Sequence, residues 1–318
     1  MEWCAARADT SLLFRSCHNC FRNSFYWVGE ESYVNWEPRF SLGWEFRQGL
    51  RAKAAYSRMS QYFHLLSSSG VGVPNDIWVP ATENIPPAIA QQVGVSLEKN
   101  WSEAGISASL EMYHKTLREL PGFERGANLL RGLDDEWEAN LLTGGEGRIQ
   151  GMEFMLSREG KTVSGWMSYT LMRSERRFLQ EGEAWFFDRF DRRHMFSMVL
   201  MMPMKRTWTF TCAFRYLTGA PVTAPIASQR DADGNLAFIY GARGNVRIPA
   251  YHRLDVGWER RFRNSEGKER GLHLGIYNLY NRQNPFYLEV VEGGGDELQF
   301  RQQSVFPILP SVSYSWYW

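Results

Sequence analysis

The 318-residue sequence predicts an all-β fold, an antiparallel transmembrane β-barrel with long extracellular loops and short periplasmic turns. Three observations carry that expectation. Apolar and polar residues alternate along about twelve segments, and a period of two marks a strand with unlike faces. The segments exceed the ordinary globular strand of about 5–6 residues and match the roughly 9–11 that a tilted strand needs to cross a hydrocarbon layer. The chain end, Ser311 to Trp318, puts Val312, Tyr314, Trp316 and Trp318 on one face. Ser311, Ser313 and Ser315 take the other, with Tyr317. A large aromatic face opposed by a small hydroxylated one suits lipid on one side and a wet lumen on the other.

In chain order, Phe40, Leu42, Trp44 and Phe46 alternate with Ser41, Gly43 and Glu45. Leu50, Ala52, Ala54 and Tyr56 alternate with Arg51, Lys53 and Ala55. Val93, Val95 and Leu97 oppose Gln92, Gly94, Ser96 and Glu98. Ile106, Ala108, Leu110 and Met112 oppose Ser107, Ser109, Glu111 and Tyr113. Met152, Phe154 and Leu156 oppose Glu153 and Ser157. Val163, Met167, Tyr169 and Leu171 oppose Ser164, Ser168 and Thr170, with Trp166 out of phase. Phe196, Met198, Leu200 and Met202 follow. Trp208, Phe210, Cys212, Phe214 and Tyr216 alternate with Thr207, Thr209, Thr211, Ala213 and Arg215. Leu254, Val256 and Trp258 alternate with Arg253, Asp255 and Glu259. Leu272, Leu274 and Ile276 oppose His273 and Tyr277, and a less regular strand covers Leu298 to Phe306.

Short and long connections take turns. Turns are expected near Arg47–Gly49, Asn100–Ser102, Glu159–Lys161, Pro203–Arg206, Asn264–Lys268 and Pro307–Pro310. Long stretches run over 59–89, 118–145, 175–191, 219–250 and 281–296. Short periplasmic turns and long external loops have this order. Counting Leu298–Phe306 as a barrel strand points the last strand outward, the wrong way for such a barrel. Pairing Phe286–Val291 with Leu298–Phe306 through 292–296 removes the conflict and is adopted.

Lys+Arg 36 against Asp+Glu 35 gives no argument for a nucleic-acid partner. Aromatics reach 15%, with 13 Trp, the residues of membrane interfaces. No apolar run is long enough for a helical span. Residues 1–30 do not fit: Ser11 to Asn23 shows neither alternation nor a helical stripe, and the start at Met1 has no basic segment leading into an apolar one. They are expected to be an atypical, possibly non-native segment, with the barrel over 31–318. Cys17-His18-Asn19-Cys20 has no second half with which to complete a zinc set and is read as chance or a local disulfide.

No cofactor, metal or catalytic residue is expected. His194 beside Asp191 suggests a general base with its orienter, but no nucleophile accompanies them, and an ion-pair cluster at the rim is the favoured reading. Glycines at 144–147 and 293–295 lack phosphate-loop spacing. Trp78, Trp137, Trp185, Phe186 and Phe187 lie in long loops, as candidates for stacking on ligand or for packing the loop. Glu98, Glu111, Glu153, Arg215, Arg253 and Asp255 fall on polar strand faces and are expected to line the lumen, since charges facing lipid are costly.

Several stretches carry a family resemblance. They include Tyr56-Ser57-Arg58-Met59, Gln61-Tyr62, His64-Leu65-Leu66-Ser67 and Pro74 to Pro80. Gly147-Arg148, Gly151-Met152-Glu153, Ser168-Tyr169-Thr170-Leu171 and Arg173-Ser174 continue it. Phe190 to His194, Tyr251 to Asp255, Tyr277 to Arg282 and the terminal aromatic strand complete it. In order and spacing, over about residues 33–318, the chain resembles the C-terminal barrel half of TonB-dependent outer-membrane receptors, especially the Bacteroidetes type with a carboxypeptidase-regulatory-like domain. The resemblance implies the last 12–13 strands of a barrel of about 22. It implies uptake of a scarce ligand (siderophore, glycan or peptide) across the bacterial outer membrane. It also implies a plug domain, absent from this sequence, through which TonB acts. Partners implied are outer-membrane lipid, the barrel-assembly machinery, for which Tyr314, Trp316 and Trp318 resemble the insertion signal, and a surface lipoprotein. A passive pore, a barrel hydrolase and a soluble all-β module are the rivals.

Overall fold

Alternation sets the architecture: each strand must pair on both edges, and each has one face that water does not want. The computed structural model describes residues 3–7, 16–47, 49–67, 76–125, 138, 141–182, 184–230, 236–263, 265, 267–292 and 298–316. Its main sheet is an antiparallel meander in which sequential strands are neighbours. The strands are β1 (Trp3–Arg7), β2 (Ser16–Val28), β3 (Glu31–Arg47), β4 (Leu50–Gln61), β5 (Ala88–Trp101), β6 (Ile106–Phe123) and β7 (Leu141–Arg158). They continue with β8 (Ser164–Arg177), β9 (His194–Pro203), β10 (Trp208–Leu217), β11 (Tyr251–Arg263), β12 (Glu269–Tyr277) and β13 (Leu309–Trp316). The sheet is open: among the described residues its outer strands, β1 and β13, are not paired with each other.

The register keeps like faces together. Met112 of β6 stands between Val95 of β5 and Met152 of β7, and Leu110 between Leu97 and Phe154. Further along, Leu200, Cys212, Val256, Ile276 and Pro310 form one continuous row across β9 to β13. This apolar face is open to the surroundings: Val93, Val95 and Leu97 are 49%, 56% and 46% exposed, and Val312 is 74% exposed. An exposed apolar band of this extent requires lipid. The buried apolar residues lie mainly under the loops: Leu66, Val79, Ala81, Ile85, Phe178, Ala220, Ala224, Ile248 and Leu288.

Short turns close one end of the sheet. Gly49, with φ +74°, belongs to the β3–β4 turn, and its carbonyl accepts from Asn100 N–H at 2.6 Å. A Cβ at Gly49 would lie 2.2 Å from the Asn100 carbonyl oxygen, so a side chain has no room there. The opposite end carries the loops 62–87, 124–140, 178–193, 218–250 and 278–308.

Several expectations are corrected. The sheet starts before residue 31: β2 pairs with β3 over 16–28. Side chains tie this strand in, with Ser24 Oγ 2.7 Å from Tyr62 Oη and 2.9 Å from Glu37 Oε1. The β2–β3 turn at Gly29-Glu30 is short although it lies at the long-loop end, because β2 and β3 run on to their tips. Phe286–Val291 does pair with Leu298–Ser304, but as part of a separate two-stranded hairpin (Pro285–Glu292 with Leu298–Ser304) inside loop 278–308. Residues 307–310 therefore lead out of a loop, and β13 runs towards the short-turn end. Trp166 is out of phase because it sits on the polar face, in register with Ser157 and Val199.

Candidate functional site

The long-loop rim is held by arginines working against aromatic rings. Phe178 begins loop 178–193 and is 3% exposed. It packs against Gly122 and Gly145, where a Cβ would come within 2.6 Å and 2.4 Å of its ring. Gly145, within the Gly144–Gly147 stretch, thus seats a ring, a role invisible in spacing alone. Phe186 stacks on Phe178 at 6.2 Å, and the Arg243 guanidinium lies 5.4 Å from Phe178 and 5.5 Å from Phe186. Arg243 also donates to both Glu181 carboxylate oxygens and to the Phe123 carbonyl at 2.5 Å. Burial alone would raise the Glu181 carboxyl, but the Arg243 hydrogen bonds and the charges of Arg243 and Arg125 outweigh it and hold it below its ordinary value. One arginine of loop 218–250 therefore joins the end of β6 to loop 178–193.

Trp185 lies between two more arginines, 4.2 Å from Arg148 and 4.9 Å from Arg177. Phe187 has Arg247 at 4.8 Å, Arg193 at 5.5 Å and Arg173 at 5.8 Å. Such cation–π contacts stabilise by about 0.5–2 kcal/mol each. Asp191, fully buried, accepts from Ser174 N–H at 2.7 Å and pairs with Arg247. Trp185, Phe186 and Phe187 are thus half-buried anchors of the rim. Trp78 differs: it is 62% exposed on the hairpin Phe63–Ser67/Asp76–Pro80. Trp137 and Trp318 lie outside the described residues. Tyr314 and Trp316 are 50% and 53% exposed on the apolar face of β13, with rings 6.2 Å apart.

The charges expected in the lumen occupy the polar face opposite the apolar rows. Glu98 accepts from Lys53 at 2.5 Å and has Arg51 at 3.9 Å. Glu111 and Glu153 stand directly opposite each other across β6 and β7. Arg253 pairs with Asp255 at 2.9 Å, donates to Tyr251 Oη at 2.8 Å and Tyr277 Oη at 2.6 Å, and lies 4.0 Å from the Tyr277 ring. Asp255 also accepts from Asn278 N–H at 2.9 Å. Arg215 faces Arg253 across β10 and β11. Sequence reasoning missed Arg243, Arg247 and Phe178, whose partners lie far along the chain.

His194 and Asp191 take different side-chain partners. His194 Nδ1 lies 2.8 Å from Tyr169 Oη, and Asp191 is committed to Arg247 and Ser174. No cluster of metal-binding side chains occurs among the described residues. Cys17 and Cys20 both lie in β2, where their backbone pairs with Leu42 and Arg39 of β3.

The sequence model of the family described as TonB dependent receptor-like, beta-barrel, matches residues 21–279. No curated protein sequence matches the chain. Among solved structures it is similar to the pyoverdine outer membrane receptor FpvA from Pseudomonas aeruginosa, with a TM-score of 0.64 and 11% identity, over 100% of this chain and 41% of that one. It is similar to the ferric preacinetobactin receptor BauA from Acinetobacter baumannii, with a TM-score of 0.57 and 13% identity, over 95% of this chain and 40% of that one. It is also similar to the ferric-catecholate import receptor Fiu from E. coli, with a TM-score of 0.54 and 12% identity, over 94% and 40%. Identities this low speak for the fold alone. The chain spans about two fifths of the length of each of these receptors.

Proposed function

Because the chain belongs to the TonB dependent receptor-like β-barrel family, we propose that it forms part of a receptor that imports a scarce ligand across the outer membrane. The family transports rather than catalyses, and its members sit in the outer membrane as β-barrels. The observation that carries the reading is the pairing of two faces: an exposed apolar band for lipid and a polar, charged face behind it, roofed at one end by long loops. Ligand would meet the loops first and then pass along the charged face. TonB would act through a plug domain carried outside these residues. Insertion by the barrel-assembly machinery and help from a surface lipoprotein fit an outer-membrane barrel with this aromatic last strand. Siderophores, glycans and peptides are the ligand classes proposed. The Bacteroidetes type with a carboxypeptidase-regulatory-like domain remains part of the proposal, resting on the residue stretches from Tyr56 to the terminal strand. A reading frame for that domain and a plug in the same gene would support it, and their absence would defeat it.

The deciding experiment compares growth on ferric siderophores, glycans and peptides in isogenic strains, with and without this gene and with and without functional TonB. Growth on one class that needs both is expected. Growth that needs the gene but not TonB would replace import by passive permeation.

A further inference from the structure

The lipid-facing side of β4 to β8 changes character towards the long-loop end. Val95, Met112, Met152 and Leu171 stand opposite one another in an apolar row. Two residues nearer the rim, roughly 7 Å along a strand, the row reads Val93, His114, Gln150 and Arg173. The next reads Arg58, Gln91, Thr116, Arg148 and Glu175, with Phe187 paired to Glu175 at its end. Beyond it Arg118 stands opposite Ile89, and Arg177 opposite Glu146. Strand parity puts these side chains on the same outer face as Val95 and Met112. Arginine begins where the apolar band stops. Arg148 and Arg173 share Glu175, at 2.7 Å and 2.5 Å, and Arg177 takes Glu146 at 2.6 Å. Arg148 gives Glu175 only its Nε, which leaves its two terminal nitrogens without a hydrogen bond among the described residues. The side chains of Arg58 and Arg118 have no hydrogen bond or ion pair among the described residues, and Arg58 Nε is buried. Five arginines thus meet two carboxylates on this arc. The adjoining parts of the same face differ. His194, Tyr216 and His252 lie on the β9 to β11 side, and the exposed Phe25, Trp27 and Val34 on the β2 and β3 side.

We propose that this arc of the outer wall is a docking surface for the phosphate headgroup of an anionic lipid in the outer leaflet. The lipid chains lie on the apolar rows below. Long loops face outward in such barrels, so the arc stands at the height of outer-leaflet headgroups. It is continuous with the band that lipid already covers. Its surplus of positive charge is complementary to phosphate, and the planar arginine fork engages two phosphate oxygens at once. The arginine stems can lie along apolar surface while their heads reach the polar layer. Trp185, between Arg148 and Arg177 at 4.2 Å and 4.9 Å, brings to this layer a ring suited to a membrane interface. The surface is on the outside of the wall, so it is independent of what passes through the inside.

Native mass spectrometry of the full-length receptor, washed free of endogenous lipid in a mild detergent, provides the test. The probes are diphosphorylated lipid A, the same lipid with both phosphates removed, and inorganic phosphate. Lipid A should bind, and Arg58→Gln together with Arg118→Gln should weaken it by about thirty-fold. The corresponding pair of lysine substitutions should keep most of the affinity. Arg148→Gln, Arg173→Gln and Glu175→Gln combined, which remove an acid with both of its bases, should weaken lipid A in the same direction. Arg261→Gln, on the polar face and held by Glu259 at 2.7 Å, should change nothing. Retained migration of the folded band in unheated gels guards against a misfolded variant. Equal affinity for lipid A in the wild type and in both sets of glutamine substitutions overturns the proposal. Equal binding of the dephosphorylated lipid would leave apolar contact alone and overturns it as well. Displacement of lipid A by inorganic phosphate would make the arc a site for small anions and overturn the lipid assignment. The readout needs no transport, so it stands or falls apart from the import reading.

Discussion

At the scale of single residues, buried charge decides where the rim is strong. Asp191 is fully buried and Arg247 about a third exposed, so the pair is partly desolvated on the arginine side and wholly on the aspartate side. Removing one partner of a buried pair costs about 3–5 kcal/mol, and the partial exposure of Arg247 argues for the lower end, about 3 kcal/mol. Asp191→Asn should lower the free energy of unfolding in urea by that amount, whereas a change below about 0.5 kcal/mol would mean the pair is incidental. Two titrations act on the loops with different windows. Burial lowers the His64 imidazole below its ordinary value, against the pull of a backbone hydrogen bond to Pro86, and its Nε2 is buried without a partner among the described residues. The folded state thus holds neutral imidazole. Above about pH 6.5 both states are neutral, and below it the unfolded state takes a proton that the folded state refuses. The hairpin Phe63–Ser67/Asp76–Pro80 should lose stability from about pH 6.5 downward. Amide exchange of residues 63–67, corrected for intrinsic rates, should rise between pH 7.5 and about 5.5, and His64→Gln should abolish the rise. Glu181 has the opposite sign: its folded-state value is lowered, so its contribution is complete above the unfolded value of about 4.3 and fades only at lower pH.

At the scale of elements, period two made ten of the strands legible without any knowledge of partners, from Phe40–Phe46 to Leu272–Ile276. Where it failed, the failure has a physical cause. In β2, Phe21, Phe25 and Trp27 fall on the exposed apolar face at 41%, 65% and 71%, but Asn23 occupies a position of the same parity and interrupts the pattern. In loop 278–308, the hairpin strands alternate much as barrel strands do, because a hairpin covering a rim also has an inner and an outer face. The rim was illegible for another reason: Arg243 meets Glu181 across 62 residues and the Phe123 carbonyl across 120, and no local pattern encodes such partners. The assignment of faces is itself testable on β5. Val95 stands between Ala54 and Met112 on the apolar face, while its neighbour Ser96 stands between Lys53 and Glu111. Val95→Lys should cost about 2–4 kcal/mol in a lipid bilayer. Ser96→Lys, on the polar face with Glu111 on one side and Lys53 on the other, should cost far less, about 0.5 kcal/mol. Equal costs for the two, measured by urea unfolding from vesicles, would mean that the register is shifted by one residue, since a one-residue slip exchanges the faces of a strand.

For the whole molecule, the asymmetry of the two ends fixes direction across the membrane. Loops at one end cover most of the buried apolar residues and contain the arginine-aromatic cluster, while turns at the other end are only a few residues long. Loops lacking a core of their own are cut or unfold readily, and here the rim clamp stiffens them where they would meet the outside. Long loops belong on the outer surface and short turns in the periplasm. Counting strands back from β13, which runs towards the short-turn end, gives the same direction as counting forward from β3. Cysteines introduced after replacing Cys4, Cys17 and Cys20 by serine make this measurable. Ala184→Cys lies in loop 178–193 and Glu103→Cys in the β5–β6 turn, and both positions are exposed. In intact cells a charged, membrane-impermeant maleimide should label position 184 and leave 103 untouched, and permeabilising the outer membrane should open 103 to the reagent. Cys212 lies in the lipid-facing row with Leu200 and Val256, so its background labelling should stay low throughout. Labelling of 103 but not 184 in intact cells would invert the molecule.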